Sequence, residues 1–75
     1  MSYTHDALAK ADQQVALAER HVSAQQEVLD MMRAAGAASE GAEYLLAQFT
    51  TILRGHQAEQ GRIAAQLDWD LALAA

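Results

Sequence analysis

The chain has 75 residues, with no proline and no cysteine, and ten acidic against five basic side chains leave a net charge of −5. That length holds one domain near the lower size at which a single core suffices, and the missing cysteines exclude a disulfide framework or a thiolate zinc site. Lys10, Arg20, Arg33, Arg54 and Arg62 are scattered among carboxylates, which excludes the clustered cationic surface that nucleic acid requires.

The opening residues, MSYTHDALAKAD, lack the charged and apolar regions of a signal peptide. No apolar run approaches the ~20 residues of a membrane span, so a soluble, cytoplasmic chain without membrane contact is expected. Alanine, leucine, glutamate and glutamine dominate, and these residues lose little on entering a helix. A first helix is predicted over about residues 4–35. Ser2 or Thr4 is placed to cap it, and Asp6 suits the positive end of its dipole. Leu8, Ala11, Val15, Ala18, Val22, Gln25, Leu29 and Met32 recur in a 3–4 alternation that marks one buried seam. Arg33 falls in the last turn, and Gly36 is placed to end the helix in a left-handed conformation.

The stretch GAASEGA is the break, with a turn at about residues 36–39 and a second helix over about 40–72. Ser39 is the expected cap, with Glu40 and Glu43 in the first turn. The seam of this helix is Ala42, Phe49, His56 and Ile63. Leu45 and Ile52 flank it on one side; Leu46, Leu53, Gln60 and Leu67 flank it on the other. Gly55 and Gly61 each weaken the helix by roughly 1 kcal/mol relative to alanine, either to allow close backbone approach or to mark a softer half. The tail LDWDLALAA continues the helix or frays, with Trp69 expected to pack on a neighbour.

A short connection makes the helices antiparallel neighbours, so the fold class is all-α, a two-helix hairpin. The apolar arc of helix 2 (Leu45, Leu46, Phe49, Ile52 and Leu53) is wider than one partner helix covers. Helix 1 carries a further stripe at Leu17, Ala24, Val28 and Met31. Both surpluses call for more helices, and a homodimeric four-helix bundle is the economical source. The expected interface is Leu17, Val28, Met31, Leu45, Leu46, Phe49, Ile52 and Leu53.

With the turn near residue 38, His56 is expected level with His21, and Ile52 level with Gln25. The polar residues His21, Gln25, His56 and Gln60 would then form a buried layer, hydrogen-bonded and fixing register. The competing reading is a metal site built on His21 and His56, with Glu19 and Glu59 adding oxygen ligands. The Glu-x-x-His pattern of di-iron carboxylate bundles is absent. There is no glycine-rich phosphate loop, no serine or cysteine nucleophile in a recognisable setting and no carboxylate pair in a pocket. A non-enzymatic, self-associating interaction or regulatory module without a cofactor is therefore expected, with an unknown protein as a further partner. The alternative is a small metal- or ligand-binding helical protein.

The run AERHVSAQQEVL, a glycine turn, then AEYLLAQF and LRGHQAEQGRI resemble a group of short bacterial helical-hairpin proteins. The matching positions are Glu19, Arg20, His21, Val22, Gln25, Leu29, Gly36, Leu45, Leu46, Phe49, Leu53, His56 and Arg62, within about residues 8–67. Gly55, Gly61 and the Asp-Trp-Asp tail depart from that pattern. The resemblance implies a hairpin and no particular activity.

Overall fold

The computed structural model describes residues 4–74, and within them two helices and no strand: α1, His5–Ala34, and α2, Glu40–Ala74. The first helix starts where a side chain satisfies its free amides. Thr4 is extended, and its hydroxyl accepts from the Ala7 N–H at 3.1 Å. The other possible cap, Ser2, lies outside the described residues.

The first helix ends by a backbone device. Gly36 adopts φ +70°, which an L side chain rarely tolerates. This reversal lets the Ala37 N–H donate to the Met32 carbonyl and the Gly36 N–H to the Arg33 carbonyl, a Schellman ending. Ser39 then stands before α2, its carbonyl accepting from the Glu43 N–H at 2.9 Å. Its hydroxyl does not turn inward to cap an amide as expected. It donates to Glu43 Oε1 at 3.2 Å, because that carboxylate is already held nearby by Arg33 at 3.0 Å. Arg33 and Ser39 together hold the Glu43 carboxyl below its ordinary pKa of 4.5.

The sign of the resulting pH effect follows from linkage. A depressed folded pKa contributes stability above the unfolded value, and that contribution is lost as pH falls through the folded value. An NMR titration should place the Glu43 midpoint below 4.5 in the parent and move it upward in Arg33→Gln. Equal midpoints would show that the ion pair does not form in solution.

Packing follows the seam of α1. Ala11, Val15, Ala18 and Leu29 are buried, and Leu8, Val22, Gln25 and Met32 are half-buried. On α2 the buried residues are Ala42, Ile63 and Leu67. Of the two flanks, the one bearing Leu46, Leu53, Gln60 and Leu67 turns toward α1, and Leu45 and Ile52 stay exposed. At the open end, Ala11, Ile63 and Leu67 form a cluster with Ala7 and Leu8 against it. The helix continues through the tail to Ala74, and Trp69 is 62% exposed. The described residues leave that indole mostly uncovered: two positions on from Leu67, the ring stands about 200° around α2 from the face that packs on Ala11.

Gly55 and Gly61 have no atom within 4 Å of the place where a Cβ would stand. Close approach to α1 within the hairpin therefore does not explain them. Gly61→Ala should raise the denaturation free energy by about 0.5–1 kcal/mol. A loss in urea unfolding would show that the glycine serves a contact outside the hairpin.

The molecule measures 60 × 14 × 14 Å, with a radius of gyration of 17.2 Å. A compact chain of this length has a radius near ~11 Å. Its accessible surface is 5445 Å², against about 4,500 Å² for a folded monomer of its mass. Two helices side by side make a rod, with roughly 1,000 Å² more surface than a compact fold would leave. No helix among the described residues is long and apolar enough to cross a membrane.

Candidate functional site

One long side of the rod carries the surplus apolar residues. On α1, Leu17, His21, Ala24, Val28 and Met31 follow one another at three- and four-residue steps, which places them on a single stripe. All five are exposed. Leu45 and Ile52 stand beside this stripe on α2, 46% and 50% exposed. Leu46, Phe49 and Leu53 are half-buried; Phe49 stands beside His21 on this face, while Leu46 lines the groove on the other side. The stretch from Leu17 to Met31 on α1, facing Leu45 to Ile52 on α2, presents no charged side chain on this stripe.

The two central histidines belong to the same face. Gln14, Leu17, Ala18, His21, Ile52 and His56 line a groove of about 300 Å³ between the helices. His21 is exposed and its ring lies 5.7 Å from that of Phe49, inclined at 41°. His56 is half-buried on the far side of the groove. His21 falls within two residues of the middle of α1, and His56 adjoins the middle of α2.

The expected polar layer is different in the hairpin. No polar or charged side chain among the described residues is buried: His21 is exposed, and Gln25, His56 and Gln60 are half-buried. They do not meet at one height either. His21 faces Phe49 rather than standing level with His56. Gln25 Nε2 donates to the Ala42 carbonyl at 3.1 Å instead of lying opposite Ile52. Gln60 Nε2 donates to Asp12 Oδ1 at 2.8 Å. The reason is geometric: long amides reach along the groove to the nearest acceptor, and two helices alone cannot enclose a residue at the edge of their seam.

Gln25→Leu should change stability by no more than about 1 kcal/mol. The lost bond is worth about 0.5–1.5 kcal/mol, leucine adds apolar burial, and the Ala42 carbonyl keeps its role within the helix. A urea midpoint shifted far beyond that range would identify the amide as indispensable.

The oxygen ligands expected around the histidines are not assembled. Glu19 lines a different groove, on the outer side of α1 with Arg20, Ser23 and Glu27. Glu59 is bound by the Arg62 guanidinium one turn away. Among the described residues no three of His, Asp and Glu come together as a metal-holding group.

The opposite side of the hairpin holds a groove that the sequence did not suggest, of about 480 Å³. Leu29, Leu46 and Ala47 contribute apolar walls, while Arg33 and Arg54 stand at its margins. The Thr50 and Thr51 hydroxyls donate back to the carbonyls of Leu46 and Ala47. The only available signal was the last-turn arginine of one helix facing the first-turn glutamate of the next across a short loop. Comparison with protein-family models, curated proteins and solved structures gave no match, so the functional reading rests on this chain's own residues.

Proposed function

We propose that this protein is a non-enzymatic interaction module that self-associates, two hairpins packing through the Leu17–Met31 and Leu45–Ile52 face into an antiparallel four-helix bundle. The observation that carries this reading is the uncharged stripe on a rod with roughly 1,000 Å² of surplus surface. A stable interface hides about 800 Å² on each partner, so one such contact accounts for the surplus. A second copy suits the face because like charges stay outside it, although each chain carries −5. The residues that a two-fold contact would bury are aliphatic side chains, one phenyl ring and two imidazoles, all of which can be neutral.

Sedimentation equilibrium on the full chain at micromolar concentration tests this. A dimer mass is the expected result, and a well-folded monomer throughout the range would sink the reading.

A further inference from the structure

We propose that the groove running from Leu29 and Leu46 to Arg54, on the side away from the central histidines, binds a single-chain anionic amphiphile. Its alkyl chain would lie along the groove, with its carboxylate on Arg54. This goes beyond the self-association reading and does not depend on it, because one chain holds the whole site.

The unpaired guanidinium carries the inference. Ten carboxylates stand against five cations in this chain, so acidic neighbours are in ample supply. Arg33 takes Glu43, and Arg62 takes Glu59. Arg54 has no carboxylate partner among the described residues. The positions one turn to either side of it are Thr50, Thr51, Gln57 and Ala58, none of them able to pair with it as an ion. Arg54 instead lines a groove of about 480 Å³, a volume within the range of small-molecule sites.

The other residues of the groove define the rest of the ligand. Glu43, Ala47, Thr50 and Arg54 follow one another at four-, three- and four-residue steps along α2, a stripe about 16 Å long. Its middle is apolar, with Leu46 and Ala47 on α2 and Leu29 from α1. The Thr50 and Thr51 hydroxyls donate to the Leu46 and Ala47 carbonyls at 2.8 and 3.0 Å, so neither has a hydrogen left for a ligand. At the far end Arg33 and Glu43 satisfy each other at 3.0 Å. One open cationic end, with an apolar run leading away from it, matches a carboxylate on an alkyl chain. Guanidinium binds carboxylate through two parallel N–H donors. The source is the free amphiphile rather than a bilayer, since a chain at −5 is repelled by an anionic lipid surface.

The test titrates the full chain with sodium dodecanoate below its micelle-forming concentration, by calorimetry and by NMR of the backbone amides. One dodecanoate per chain is expected, with shifts centred on Ala47, Thr50 and Thr51. Each methylene removed from the probe should weaken binding about two- to fourfold. Arg54→Gln should weaken it about three- to tenfold. Ala47→Glu should abolish it; that position is exposed, so the hairpin tolerates the change. Arg20→Gln removes the same charge from the outer side of α1 and should leave binding unchanged. Equal losses in Arg20→Gln and Arg54→Gln would reduce the effect to net charge and overturn the site. An uncharged dodecyl glycoside that binds as tightly as dodecanoate also overturns it, as does dodecanoate that produces neither heat nor shifts. Binding lost in Ile52→Asp but kept in Ala47→Glu places the alkyl chain on the opposite face, against the proposal. Association with phosphatidylglycerol vesicles without dodecanoate binding assigns a membrane surface in its stead. The sedimentation mass decides self-association separately, whichever of these results is obtained.

Discussion

If two hairpins pack through the proposed face, Ile52→Asp is expected to leave the chain monomeric with the hairpin still folded. Ile52 is half-exposed in the single chain and lines the groove with His21 and His56. In the monomer the aspartate therefore reaches water, and an exposed helix position tolerates such a change to within about 0.5 kcal/mol. In the proposed dimer the same carboxylate would be enclosed by aliphatic surface. An uncompensated buried charge costs about 3–5 kcal/mol, and the two-fold axis introduces two of them. Association should weaken by at least about 100-fold. Thr51→Asp is the matched control, since Thr51 is the neighbouring residue, exposed, and lines the other groove. Sedimentation velocity on both variants, with helix content monitored, separates the outcomes. Equal masses for the two variants would place the contact on another face.

Ile63→Ala should produce the largest loss of stability among single changes within the hairpin. Ile63 is 4% exposed and sits in the cluster with Ala11 and Leu67. Removing a buried isoleucine side chain to the β-carbon costs about 2–5 kcal/mol, the higher end applying where the site does not collapse. A domain of this length has a total of roughly 4–11 kcal/mol, so a large share of it is at stake. The buried set is otherwise rich in alanine: Ala11, Ala18 and Ala42 offer no further carbons to fill the space. In urea the midpoint should drop with little change in slope. Trp69→Ala should move it far less, because that ring is mostly exposed. Protein concentration must be held fixed, since the proposed self-association would add to apparent stability by mass action. If the two variants lose the same amount, the tail is packed against something that the single hairpin does not contain.

The sequence determined the helices and the buried stripe of α1 because those properties are local. Helix ends follow from Thr4 before the first turn and Gly36 after the last one, and from the free amides and carbonyls that they satisfy. The seam from Leu8 to Met32 was legible because helix geometry puts residues three and four apart on one face. Each of its members is buried or half-buried.

Tertiary structure decided what local periodicity leaves open. Helix 2 has apolar residues on both flanks of its seam, and only packing against α1 turned Leu46 and Leu53 inward and left Leu45 and Ile52 outside. The pairing of Gln25 with Ala42, of Gln60 with Asp12 and of His21 with Phe49 depends on how two helices slide past each other. Sequence spacing within one helix carries no information on that offset, since a shift by one heptad preserves every seam contact type. Cover for Trp69 is likewise not legible in the sequence: apolar character says that a ring gains from cover, whereas the tertiary arrangement decides which face of α2 meets a neighbour. The histidines combine both lessons. Periodicity put His56 in the seam of α2 and His21 beside that of α1, while their common groove, with His56 half-buried and His21 exposed, follows from a fold of only two helices, which encloses a seam and exposes its borders.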